Sequence, residues 1–437
     1  MKHALLRPGL WVTLLVLLVV LWKGPQWTAP SVPVTAPMAA STSPGDTVER
    51  GRYLARIGNC AFCHTARGGD PYGGGRAIDT PFGAIYSSNL TPDKASGIGK
   101  WTADDFWRAM HHGVSRDDRL LYPAFPYPSY SRITREDSDA LWAFLQTVPP
   151  SIRSNLPPDL PWPISTQSAL WAWRTLYFRA GEPGRPEGLA APSAPADTLR
   201  WERGAYLTEG LGHCFECHAS RNGLGGVTAA GQGNVLPGSR WYAPSLLDRR
   251  EASVADWSEA EVVAFLTAGA SAKGQAAGPM AEVVLHGTQY LSAGDALAMA
   301  SYLRSLPAPS AAPSTDGLPA SAPTAPELGA VVRLGASLYT THCASCHGDQ
   351  GEGQTGVYPA LAANRSVTMG MTHNLVQSVL RGGFAPATAA NPRPYGMPPF
   401  MITLSDAEVA AVLTYVRQAW GNSAAPLGQF DITQVRR

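Results

Sequence analysis

The phrase C-x-x-C-H occurs three times in this chain, at Cys60-Ala61-Phe62-Cys63-His64, Cys214-Phe215-Glu216-Cys217-His218 and Cys343-Ala344-Ser345-Cys346-His347. The three copies use all six cysteines, so no thiol is left for a disulfide or a separate metal site. A lone C-x-x-C can be half of a zinc site or a redox dithiol. Zinc needs a second close pair of ligands, and none follows here. A redox pair would not recur three times, more than a hundred residues apart, each time followed by His. The spacing is that of c-type haem attachment, with two thioethers to the porphyrin and the next His as proximal iron ligand. Cys60, Cys63, Cys214, Cys217, Cys343 and Cys346 are therefore the expected covalent haem residues. His64, His218 and His347 are the expected proximal ligands, for three haem c groups in all.

Each motif stands near the start of a block of about a hundred residues, and the blocks are internal repeats. They run over 48–148, 200–306 and 328–421. Each opens with a short helix before the cysteines, at Arg50-Gly51-Arg52-Tyr53-Leu54, Arg203-Gly204-Ala205-Tyr206-Leu207 and Leu334-Gly335-Ala336-Ser337-Leu338. Each has a middle helix ending in Gly, over 101–113, 257–269 and 374–383. The first two begin Trp-Thr and Trp-Ser, which puts a capping hydroxyl at the helix start. Each block closes with a helix of apolar residues at helical spacing, including Leu141, Phe144 and Leu145; Leu297, Met299, Tyr302 and Leu303; and Val409, Val412, Leu413 and Val416. This order resembles class I cytochrome c, so the expected fold is all-α, three tandem domains of that kind. Pro-rich segments separate them: 28–47, 149–199 with an aromatic helix inside it, and 307–327, with a tail at 422–437.

An electron-transfer haem generally fills its sixth position with Met or His. Nine methionines and ten histidines are available. Met280, in Gly278-Pro279-Met280, and Met397, in Tyr395-Gly396-Met397-Pro398-Pro399, lie in stiff loops after the middle helices and are the expected ligands. Met401 is the rival of Met397, and Met299 belongs to a helix core. The first block departs from this pattern. Its loop reads Tyr122-Pro123-Ala124-Phe125-Pro126-Tyr127, and Phe cannot bind iron. The candidates there are His111, then His112, with Met110 as a rival and a five-coordinate iron as the remaining option. His213, His286, His342 and His373 read as structural or surface residues.

The run GLWVTLLVLLVVLW at 9–22 follows Lys2, His3 and Arg7. Residues 1–27 therefore read as a secretory signal or an uncleaved anchor, both of which export the chain. Thioether attachment of haem is likewise extracytoplasmic in bacteria. The expected location is the periplasmic face of the cytoplasmic membrane. A net charge of +1 offers no basic footprint for nucleic acid.

With these residues in view, the chain resembles the tri-haem cytochrome c subunit of bacterial membrane-bound dehydrogenases, from Glu49 to Asn422. The resemblance rests on the run from Pro81-Phe82-Gly83-Ala84 to Thr91-Pro92-Asp93, on Leu121-Tyr122-Pro123-Ala124-Phe125-Pro126-Tyr127, and on Met280-Ala281-Glu282-Val283-Val284 with Thr288-Gln289-Tyr290-Leu291. In the third block it rests on Met397-Pro398-Pro399-Phe400 and Ala419-Trp420-Gly421-Asn422. The Phe125 form is similar to cytochromes that accompany molybdenum-containing aldehyde or N-heterocycle dehydrogenases. The resemblance implies a subunit that takes electrons from a catalytic partner dependent on molybdopterin, pyrroloquinoline quinone or flavin. It implies delivery through three haems to ubiquinone, and a role in anchoring the complex. The stretch Leu170-Trp171-Ala172-Trp173-Arg174-Thr175-Leu176-Tyr177-Phe178 suits a membrane interface or a partner groove equally with packing between blocks. Two rival functions remain: a multi-haem peroxidase with an open first iron, and a periplasmic electron shuttle.

Overall fold

The computed structural model describes residues 44–181, 195–307 and 325–436. The N-terminal segment 1–27 and most of the linkers 28–47 and 307–327 lie outside the described residues. The chain divides into two compact units, Met1–Gly51 with His64–Gly181, and Arg52–Cys63 with Glu182–Arg437.

The second unit thus holds two of the expected blocks and a piece of the first. Side chains bind these parts together. Tyr53 Oη donates to Asp295 at 2.6 Å, and the Arg56 guanidinium lies 4.8 Å from the Tyr290 ring centroid. Between the second and third blocks, Arg365 donates to the Ser253 carbonyl at 2.8 Å and pairs with Asp256.

Helices dominate, but all-α is too narrow. Five two-stranded antiparallel hairpins occur among the described residues, such as Ala77–Thr80 with Gly83–Tyr86. They lie in the long loops, where turn residues bring short extended segments back on themselves.

The middle helices form where their caps predict. Thr102 caps Ala103–His112 in a capping box with Asp105, and Gly113 ends it at φ 60°. Ser258 caps Glu259–Ala268 in a box with Glu261, and Gly269 ends it at φ 74°. The third runs His373–Arg381 and stops at Gly382, one residue before the expected glycine. A left-handed terminal residue costs glycine no Cβ clash.

The same crossing occurs in all three blocks. A Cβ on Gly51 would lie 1.8 Å from the Ala140 carbonyl oxygen, one on Gly204 2.0 Å from that of Ala298, and one on Gly335 2.2 Å from that of Ala411. The opening helix therefore meets the closing helix of its block at backbone contact, which only glycine permits. The closing helices are Arg135–Leu145, Ala293–Ser305 and Asp406–Gln418, each capped by Thr134, Ser292 or Ser405. Their expected core residues are buried, Met299 among them, except Leu297, which is 39% exposed.

The expected tail is an ordered helix, Gln429–Arg436. Ile432 and Val435 are buried in the third block's core with Val376, Leu380 and Val409. Arg436 pairs with Asp406 and donates to the Leu404 carbonyl at 2.9 Å. Two apolar residues three apart supply a helix face that the Pro-flanked composition concealed. The aromatic helix in 149–199 spans Gln167–Tyr177, capped by Thr166.

Candidate haem sites

Each C-x-x-C occupies one helical turn, Cys60–Cys63, Cys214–Cys217 and, for the third motif, the turn Ala344–His347 after Cys343. Residues i and i+3 on a turn face the same side, so both sulfurs of a motif can meet one porphyrin. Asn59 and His213, each just before a first cysteine, have left-handed φ of 53° and 40°. In the second block the opening helix Pro195–Ala205 widens into a π-helical stretch, Tyr206–Leu211, before the turn.

The three histidines are held alike. His64 Nδ1 donates to the Ser88 carbonyl at 2.7 Å, His218 Nδ1 to that of Pro244 at 2.6 Å, and His347 Nδ1 to that of Pro359 at 2.9 Å. A carbonyl only accepts, so the proton sits on Nδ1 and the Nε2 lone pair is left for a metal. Burial holds all three rings below the usual histidine range, as neutral imidazoles. These carbonyls carry no sequence signal, because any residue supplies one.

The surroundings favour thioethers over zinc thiolates. Burial pushes the free thiols of Cys60 and Cys214 up to about 12, and those of Cys217 and Cys343 up to about 11. In the free chain such thiols are held in the protonated form. Among the described residues no cluster of His, Cys, Asp and Glu could hold a metal ion. The residues present therefore fit haem c, with paired cysteines on one turn and a buried, neutral imidazole beside each pair.

Met280 is half-buried near the start of the helix Pro279–His286, after Gly278, whose φ of 52° and approach to the Trp241 ring exclude a side chain. Met397 is half-buried in a two-residue strand paired with Gly383–Phe384. Met401 is half-buried as well.

In the first block Phe125 lies 5.5 Å from the Tyr130 ring. His111 and His112 are both buried, with their rings 4.5 Å apart, and His111 stacks on Trp107 at 4.4 Å. Burial drives both imidazoles down to about 4, and for His112 the nearby His111, Arg174 and Arg108 add to this. Met110 is buried, as are Leu266 and Leu380 in the middle helices of the other two blocks. Arg174, from the aromatic helix, lies 5.1 Å from the Tyr127 ring and 4.6 Å from that of Phe178. That helix therefore packs on the first block through Arg174, a role its composition left open. His286 pairs with Glu282 at 3.2 Å.

The family described as Cytochrome c matches residues 48–149 and 332–420. The chain is similar to the cytochrome c subunit of quinone-type alcohol dehydrogenase of Gluconobacter oxydans, 36% identical over 89% of this chain and 82% of that one. It is similar to the gluconate 2-dehydrogenase cytochrome c subunit of Pantoea cypripedii, 37% identical over 89% of each. It also matches one of the subunits of nicotinate dehydrogenase of Pseudomonas putida, 38% identical over 92% of this chain and 33% of that protein.

Proposed function

This chain belongs to the family of cytochrome c subunits of alcohol, gluconate and fructose dehydrogenases, and on that premise we propose that it is an electron-transfer subunit with three haems. It would take electrons from a dehydrogenase catalytic subunit and deliver them to ubiquinone at the periplasmic face of the cytoplasmic membrane. One observation carries the reading: all three motifs place a ring Nδ1 on a backbone carbonyl and leave Nε2 free. Bound haem supplies reversible one-electron chemistry.

The protein's own residues do the rest. Cys60, Cys63, Cys214, Cys217, Cys343 and Cys346 would tether the porphyrins. His64, His218 and His347 would bind iron, with Met280 and Met397 as further iron ligands at the second and third sites. At the first, His111 is favoured over His112, with Met110 as rival. Similarity to the nicotinate dehydrogenase chain runs in the same direction as the Phe125 resemblance, since nicotinate is an N-heterocycle. The partner would then be of the molybdopterin type, ahead of pyrroloquinoline quinone or flavin. Membrane association would use the segment 1–27 and the exposed apolar residues Trp162 and Leu176 around the aromatic helix. Among the described residues no helix is long and apolar enough to cross a membrane.

The test is haem counting followed by ligand replacement. Pyridine haemochrome assay of the exported protein should give three haems per chain, and fewer would refute the proposal. Met280→Ala should make one centre high-spin or shift its potential, and an unchanged titration refutes that ligand. His111→Ala should do so only at the first haem; if Met110→Ala does instead, the choice of His111 is wrong. A peroxidase reading has one support, two buried neutral imidazoles beside a loop that lacks Met. A wholly low-spin ferric protein that binds neither cyanide nor peroxide would end it.

A further inference from the structure

We infer that Asn374, a residue of the third block, is a positioning residue for the second haem site. Its carboxamide grips the backbone that carries the Pro244 carbonyl, the acceptor that orients His218. The inference rests on His218 being an iron ligand, as proposed above.

Tyr242 N–H donates to Asn374 Oδ1 at 2.8 Å, and Asn374 Nδ2 donates to the Tyr242 carbonyl at 2.7 Å. The short strand Tyr242–Ala243 pairs on its other edge with Asn234–Val235. Asn374 thus answers Tyr242 as a neighbouring strand would, one acceptor and one donor from a single planar group. Downstream, Ser245 N–H donates to Glu251 Oε2 at 2.7 Å, and Tyr242 Oη donates to the same oxygen at 2.9 Å. The segment 242–245 is therefore pinned at both ends. Pro244 stands between the pins with no N–H of its own to anchor it. Its carbonyl lies 2.6 Å from His218 Nδ1.

The other two proximal carbonyls are held from within their own blocks or the linker that follows. Beside Ser88, Ser87 N–H bonds the Arg76 carbonyl at 2.9 Å and Asn89 N–H bonds Asn155 Oδ1 at 2.7 Å. Before Pro359, Tyr358 N–H bonds the Gln354 carbonyl at 2.8 Å. Only the second site, among the described residues, draws its support from a neighbouring block. The bond at Nδ1 sets the ring's orientation and basicity, and a more basic imidazole favours ferric iron. Loosening the Pro244 carbonyl weakens that bond and favours ferrous iron.

The experiment is potentiometric titration of the full-length protein with Asn374→Ala. The second haem's wave is assigned as the one missing from a Cys214→Ala, Cys217→Ala variant. Asn374→Ala should move that wave alone to higher potential, with all three haems attached by haemochrome count. Asn374→Gln, which keeps the amide but displaces it by one methylene, should move it less, in the same direction, and serves if the Ala variant does not accumulate. Arg365→Ala cuts the same seam at Ser253 and Asp256 and should move no wave. A stationary second wave, or an equal shift from Arg365→Ala, overturns the inference. A count below three in the unaltered protein would instead sink the tri-haem reading on which it stands.

Discussion

Tyr53 donates its hydroxyl proton to Asp295 at 2.6 Å, while Arg203 gives the same carboxylate two further bonds at 2.7 and 2.8 Å. All three residues belong to the second unit. The clamp holds residues 52–63 against the second block, where His213 Nε2 lies 3.4 Å from the Gly58 carbonyl oxygen. The residues just before two of the C-x-x-C turns are thus brought side by side. Tyr53→Phe should lower unfolding stability by about 2 kcal/mol, the usual worth of a bond to a charged acceptor. The check is the urea midpoint of the holoprotein. Burial first, and then Asp295, hold the Tyr53 hydroxyl above its ordinary range. A raised folded value means that this stability is intact below about pH 10 and is lost as pH climbs through the folded value. A midpoint unmoved by the substitution would show that the clamp is idle.

The helix crossings predict a shared vulnerability. Gly204→Ala sets a methyl group 2.0 Å from the Ala298 carbonyl oxygen, a backbone atom that cannot swing aside. The helices must part, at a cost of about 1–3 kcal/mol. Gly51→Ala and Gly335→Ala should behave alike, because their crossings share the geometry. Thermal melts of the three variants should all fall, and a variant that melts like the parent would refute the crossing in its block.

Acid should weaken the first block through His112. His112 is held near 4 by burial first, with His111, Arg174 and Arg108 adding to it, below the ordinary histidine value of 6.5. Depressed histidine values mean that the unfolded chain takes up protons first as pH falls. His112, the imidazole not assigned to iron, therefore contributes stability that is full above about pH 6.5 and drains away down to about pH 4, by on the order of 2 kcal/mol. Urea midpoints taken between pH 7 and 4 should fall in the parent and fall less in His112→Gln. Parallel slopes would mean that His112 does not titrate in this window.

The C-terminal helix Gln429–Arg436 should behave as core. Ile432 is wholly buried, so Ile432→Ala should cost about 2–5 kcal/mol. Removing residues beyond Asn422 should cost more and leave the third block prone to proteolysis. A truncated protein with unchanged melting would return the segment to the status of a tail.

Covalent chemistry and short-range pattern were written in the order of residues. The three C-x-x-C-H phrases, the capping hydroxyls of Thr102 and Ser258, the glycines ending the middle helices and the apolar spacing of the closing helices all act within a few residues. Local physics suffices to read them. The sequence alone also marked the first block as lacking a methionine in its loop, because Phe125 is a plain substitution in a repeated phrase. Tertiary structure decided what depends on residues far apart. It chose the carbonyls of Ser88, Pro244 and Pro359 as partners for His64, His218 and His347, turned the last residues into a core helix, and set Asn374 on Tyr242, 132 positions earlier. Backbone carbonyls are identical in every residue, and a carboxamide fits many partners. Which of them meet is fixed only when the helices pack, and no pattern along the chain records that choice.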